Sequence, residues 1–146
     1  MKLENALKLA RSLMDEFGLK KWKIKINKSR VDCGVCDFDE KTIYFSEYFL
    51  KLNRIKQIKD IILHEIAHAI LPIEAGHSQI WKDKCIEIGC TPERFASVSC
   101  KMPEMKWKGK CPNCLELNER HYKPDTQKWF KCLFCEYKGV LKWHKI

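Results

Sequence analysis

The chain has 146 residues, room for one core of ordinary size with a small appendix but not for two full domains. At 45% hydrophobic and 32% charged residues it lies far from the composition of disordered chains. Lys+Arg number 28 against 19 Asp+Glu, and the resulting formal charge of +9 favours polyanionic partners such as nucleic acid.

The N-terminal stretch, Met1 to Phe17, carries six charged side chains and leaves no apolar run for an export signal. The longest apolar stretch, Ile61 to Ile73, is interrupted by His64, Glu65 and His68, so no bilayer span is expected. A cytoplasmic, monomeric protein is expected. Its nine cysteines then read as thiols and metal ligands rather than disulfides.

Residues 3–17 form the first predicted helix, with Leu3, Leu7, Ala10, Met14 and Phe17 at helical spacing and Gly18 as its stop. From Trp22 to Lys28 apolar and basic residues alternate, which predicts a half-buried strand with Lys21, Lys23 and Lys25 on its outer face. A second strand is predicted through Val31 to Phe38, and a third over Thr42–Phe45, together making a small antiparallel meander. Ser46 is placed to cap a short helix containing Tyr48 and Phe49. Asn53 then opens a long helix over 54–71, with Ile55, Ile58, Ile62 and Ala69 on one apolar face and Pro72 at its end. A loop to Gly76 leads to a helix over 78–88 stopped by Gly89, and residues 90–105 read as a connector.

His64-Glu65-Ile66-Ala67-His68 lies on the long helix. Residues four apart share a helix face, so both imidazoles can reach one Zn²⁺, while Glu65 flanks them and can take a proton from water. A catalytic zinc needs a third protein ligand and an open fourth position. His77 and Glu87 are the candidates downstream. His77 is favoured, because Gly76 permits a tight reversal before it and the next helix anchors it, whereas Glu87 fits the solvent face of that helix. A third His at metzincin spacing is excluded, since position 74 is Glu74.

The string from His64 to Ala69, then Ala75-Gly76-His77-Ser78-Gln79-Ile80-Trp81-Lys82, then Cys85 and Ile88-Gly89, resembles the SprT-like family, which includes the Spartan proteases. That family usually has Gly where Ser78 stands and Phe where Trp81 stands. The resemblance implies a zincin domain with a catalytic zinc on His64, His68 and His77 and with Glu65 as acid–base. It also implies a link to DNA, since Spartan-type members degrade proteins crosslinked to DNA.

Cys111-Pro-Asn-Cys114 and Cys132-Leu-Phe-Cys135 are two C-x-x-C pairs separated by 17 residues, the pattern of a closed four-cysteine structural zinc site. Trp129, Phe130, Tyr137 and Leu141 are expected to build the strands and core around it, and His121 and His144 to lie on the surface. Residues 101–146 carry 11 basic and 5 acidic side chains, so +6 of the +9 charge sits on the last third of the chain. Lys108, Lys128, Trp129, Lys142 and Trp143 are the candidates for pairing with phosphates and stacking on single-stranded bases. Cys33 and Cys36 form a third C-x-x-C without a second pair at ribbon spacing; they read, with Cys85, Cys90 and Cys100, as small hydrophobes.

The expectation is therefore an α+β protein: a small zincin-like domain over 1–100 and a four-cysteine zinc ribbon over 106–146, holding two Zn²⁺ ions, one catalytic and one structural. The expected activity is metallopeptidase action on DNA-associated or DNA-crosslinked proteins, with DNA a further partner. The alternative is a non-enzymatic DNA-binding or regulatory protein with two structural zincs, against which an intact Glu65 argues.

Overall fold

A computed structural model describes residues 2–146. The chain divides into two compact units, the first ending at Pro103 and the second running from Glu104 to Ile146.

In the first unit, helix α1 (Leu3–Glu16) buries Ala6, Ala10, Leu13 and Met14. Arg11 ties it to the chain that follows, its guanidinium donating to the carbonyls of Trp22 (2.7 Å) and Leu19 (2.8 Å). Strands β1 (Lys23–Asn27), β2 (Gly34–Asp37) and β3 (Thr42–Ser46) form one sheet. Their order is β1-β3-β2, with β1 parallel to β3 and β2 antiparallel to it, so the expected antiparallel meander is corrected. The physical reason lies in composition. β3 is the strand without a charged residue and takes the centre, where Thr42, Ile43, Phe45 and Ser46 are buried. β1, with Lys23 and Lys25, and β2, with Gly34 and Asp37, take the edges, and on β1 the lysines discourage pairing with other chains. In this register Ile24 stands beside Ile43 and Ile26 beside Phe45, giving one apolar face. Val31 to Cys33 lie outside β2, in a turn where the Ser29 hydroxyl accepts from the Asp32 N–H at 3.0 Å.

Ser46 caps α2 (Glu47–Leu52), its hydroxyl accepting from the Phe49 N–H at 3.3 Å. Helix α3 (Ile55–Ile70) follows, with Arg54 rather than Asn53 at its N-cap. Asn53 is buried and does something else: its amide donates to the carbonyls of Phe49 (2.8 Å) and Lys101 (2.7 Å), and its Oδ1 accepts from the Lys101 N–H (2.7 Å). Ile55 is exposed. The buried stripe runs instead through Ile58, Ile61, Ile62, Glu65 and Ile66, and α3 packs against α1 and β2. Leu71 leaves the helix, and a 3-10 turn (Ile73–Ala75) leads to α4 (Gln79–Ile88), which also packs on α3. Residues 90–102 have no regular structure. They are fixed at both ends, by the Asn53 clamp on Lys101 and by Asp60, whose Oδ1 accepts from the N–H (2.8 Å) and hydroxyl (3.1 Å) of Thr91.

In the second unit, β4 (Trp107–Lys110) pairs antiparallel with β5 (Leu117–Arg120) and with β8 (Trp143–Lys145). β6 (Phe130–Lys131) and β7 (Lys138–Gly139) form a two-stranded ribbon. Leu141 is buried, and Phe130 meets Trp143 edge-on at 5.3 Å. Two expectations are corrected here. Trp129 is 78% exposed and contributes nothing to the core, whereas His121 is buried rather than on the surface. Trp129 lies just before β6, outside the paired ribbon, and it is Phe130, the first strand residue, that packs against Trp143. Among the described residues no helix is long and apolar enough to cross a membrane.

Candidate metal centres

On α3, His64 and His68 project from the same face one turn apart, their ring centroids separated by 5.1 Å. His77 reaches them because the chain reverses at Gly76, whose φ of +48° favours glycine. The Nε2 atoms of His68 and His77 lie 3.0 Å apart, those of His77 and His64 3.4 Å apart. Three nitrogens on a tetrahedral zinc with bonds of about 2.05 Å are separated by about 3.3 Å, so the donor set fits the ion. Glu87, the competing ligand candidate, sits on the exposed face of α4, where its carboxylate pairs with Lys84 at 2.7 Å. Burial, with the neighbouring imidazoles, pulls His64 down to about 3 and His68 to about 4; burial and then the Arg94 guanidinium hold His77 below its ordinary value. The three rings are thus kept neutral, the form that ligates metal.

Trp81 forms the floor of this cluster. It is fully buried, lies nearly parallel to the His68 ring at 5.2 Å, and meets the His64 and His77 rings edge-on at 4.7 and 4.6 Å. In the sequence Trp81 stands out only as a motif variant. Its spacing of four residues from His77, at the start of an amphipathic helix, is the signal that could have placed it under the site.

Glu65 is buried between α3 and β2. The approach is close enough that a Cβ on Gly34 would fall 2.8 Å from Glu65 Cγ. Burial, and behind it the Asp32 carboxylate, pushes Glu65 up to about 8, so without a cation it holds its proton at neutral pH. A divalent ion beside it acts in the opposite direction. Glu65 and the three histidines open onto a cavity of about 420 Å³, walled by Gly34, Val35 and Cys36 of β2 and by Arg94 and Phe95 of the segment after α4.

In the second unit Cys111, Cys114, Cys132 and Cys135 bring their sulfurs together. Cys111 and Cys135 are 3.7 Å apart, as are Cys114 and Cys132. Bonds of about 2.3 Å to a tetrahedral zinc place sulfurs about 3.8 Å apart, so this set also fits, with no position left open. Burial pushes the Cys132 thiol up, but the Phe134 N–H and the Asn118 amide, donating at 3.4 and 3.6 Å, outweigh it and bring it below its ordinary value. Asn118 is a residue the sequence does not announce. Fully buried, it also accepts from the Leu133 N–H at 3.0 Å, locking the turn that carries Cys132 and Cys135.

Among the described residues, these are the two groups of three or more potential ligands whose donor atoms lie together. Cys33, Cys36, Cys85, Cys90 and Cys100 are free thiols outside both groups. Burial chiefly pushes Cys33 and Cys36 up to about 12, which makes them poor nucleophiles. Of the candidate nucleic-acid residues, Lys108 pairs with Glu119 at 3.4 Å and Lys128 lies 3.9 Å from Asp125. Lys142 is exposed, as is Trp129, whereas Trp143 lies across Gly109, where a Cβ would approach its indole to 2.9 Å.

The SprT-like family model matches residues 4–102, a stretch that contains the whole three-histidine site and stops before the four cysteines. No curated protein matches the chain.

Proposed function

The chain belongs to the SprT-like family, and from that premise we propose that it is a zinc-dependent endopeptidase whose first unit is the catalytic domain and whose second is a zinc ribbon. The observation that carries this reading is the juxtaposition of three imidazole nitrogens at tetrahedral spacing with a buried carboxyl, all opening onto one cavity. A purely structural site has no use for that carboxyl or for the opening.

His64, His68 and His77 would hold the catalytic ion, and Cys111, Cys114, Cys132 and Cys135 the structural one. Zinc in the first site supplies Lewis acidity, lowering the pKa of water and polarising a carbonyl. The protein's own groups do the rest. Glu65 accepts the proton of the attacking water at its carboxylate and delivers it to the leaving amine. Its burial shields that proton from bulk solvent. Trp81 fixes the imidazole planes, so the ligands need not reorganise when the ion binds. β2 is a sheet edge along the cavity wall, and its free backbone groups can pair with an extended peptide and lay the scissile bond across Glu65.

Substrates that are themselves bound or crosslinked to DNA accord with the charge distribution. Residues 101–146 carry 11 basic against 5 acidic side chains, and Trp129 stands free among lysines, available for stacking on an unpaired base. That same surface favours the second reading, a non-enzymatic DNA-binding protein, and one experiment separates the two. The zinc-loaded full chain is incubated with a basic DNA-binding protein, with and without single-stranded DNA, beside Glu65→Gln. Peptide-bond cleavage lost in Glu65→Gln at unchanged zinc content supports the peptidase. DNA binding without cleavage in either protein supports the alternative.

A further inference from the structure

Peptide hydrolysis passes through a tetrahedral adduct whose former carbonyl oxygen carries a negative charge, and an enzyme gains most from a positive or donating group already placed there. Along the cavity that holds His64, Glu65, His68 and His77, the other ionisable side chains are Asp32, Cys36 and Arg94. Arg94 is the one lining residue with a permanent positive charge. We propose that Arg94 is a catalytic residue that donates to the carbonyl oxygen of the scissile peptide as it becomes an oxyanion. The assignment rests on the peptidase reading above.

Its placement follows from α3. Asp60 stands one turn before His64 on the same helix face, and its carboxylate holds Thr91 by both N–H and hydroxyl. Arg94 comes three residues after that anchor, so the helix that carries His64 and His68 also sets where the guanidinium hangs. Among the described residues the Arg94 side chain has no ion-pair partner. It lies over the Phe95 ring, 5.2 Å from its centroid, a stacking that supports the flat face and leaves the N–H edges free. Arg11 offers a contrast, with its N–H groups committed to Asp15 and two carbonyls.

The two tyrosine hydroxyls of the first unit, the other donors able to serve an oxyanion, are turned elsewhere. Tyr44 occupies β3 between Lys25 and Val35, on the sheet face opposite Ile43 and Phe45, with the Lys25 ammonium 6.0 Å over its ring. The Tyr48 hydroxyl accepts from Arg30 at 3.4 Å, and its ring is covered by that guanidinium at 4.6 Å. Neither lines the cavity.

The test compares the zinc-loaded full chain with Arg94→Ala, Arg94→Lys and Glu65→Gln. Arg94→Ala is expected to lower kcat by about 10²–10³-fold while KM stays within about threefold, with Arg94→Lys intermediate. A phosphinic peptide, which mimics the tetrahedral adduct, should bind Arg94→Ala more weakly by a similar factor. The substrate peptide should bind Glu65→Gln and the Glu65→Gln, Arg94→Ala double variant equally. A kcat retained in Arg94→Ala while Glu65→Gln is inactive overturns the assignment and leaves the peptidase reading intact. A loss confined to KM, and to acidic substrates, makes Arg94 a reader of substrate side chains and also overturns it, as does loss of zinc or thermal stability in both Arg94 variants. Turnover retained by Glu65→Gln removes the peptidase reading itself.

Discussion

Placing an alanine at Gly34 tests how tightly β2 holds the carboxyl of Glu65. The backbone there does not require glycine, since Gly34 is not among the residues of positive φ. The added methyl is nonetheless too close, falling 2.8 Å from Glu65 Cγ, 3.0 Å from Oε1 and 3.2 Å from Cδ. Carbon–carbon contacts relax to about 3.5–4.0 Å, so the Glu65 side chain must retreat by roughly 0.7–1.2 Å. It is buried on the packed face of α3 against β2, and overpacking of this kind costs about 1–3 kcal/mol. For a unit of this size each kcal/mol lowers Tm by about 4–8 °C. A displacement near 1 Å at a proton-transferring group costs about 10²-fold in rate. Gly34→Ala is therefore expected to unfold several degrees earlier and to turn over a quenched peptide about a hundredfold more slowly at full zinc content. The same substitution made in a Glu65→Ala background meets no side chain, and its stability penalty should vanish. Wild-type turnover and Tm in Gly34→Ala would refute the reasoning, and a penalty that persists beside Glu65→Ala would place the clash elsewhere.

Asn53→Ala removes three hydrogen bonds of 2.7–2.8 Å and strands the backbone groups of Lys101, an expected loss of about 2–4 kcal/mol in urea denaturation. Metal analysis should find two zinc ions per chain, and a competing chelator should strip the open three-histidine site first, abolishing turnover while the closed four-cysteine site stays filled. Trp81→Phe should keep the site, whereas Trp81→Ala should cost about 3–5 kcal/mol and weaken zinc binding by about 10–100-fold at His64, His68 and His77, read by thermal melts and zinc competition. Trp129→Ala in the full chain should reduce single-strand DNA affinity by about 1–3 kcal/mol without changing the salt dependence, because the indole stacks and carries no charge.

The metal groups were legible because their information is local. A spacing of four residues fixes which imidazoles share a helix face, and a C-x-x-C turn fixes which sulfurs converge, whatever the rest of the fold does. Helix ends marked by Pro72 and Gly89 were legible for the same reason. Strand order was not. Alternation tells which face of a strand is wet, but it is identical for a meander and for the β1-β3-β2 arrangement, and only the uncharged composition of β3 hints at its central place. The buried stripe of α3 was read partly wrong at Ile55, because an apolar residue in the first turn of a helix has less of the core above it. Trp81, Gly34, Asn53 and Asn118 escaped for a common reason: each acts on a residue from another element, and a linear pattern carries no record of such a meeting. His121, buried with its Nδ1 unpartnered among the described residues, has no sequence signal that separates it from the exposed His144.

The edge formed by β2 is only four residues long, about 13 Å of extended chain. A polypeptide that docks there must surrender its own secondary structure over a matching length before any bond can break. Sensitivity to cleavage would then track the cost of local opening in the target rather than a preferred residue, and each 1.4 kcal/mol of that cost would slow digestion about tenfold. Folded neighbours would be spared by their own stability, while a chain left frayed or damaged would be taken, with no recognition motif required.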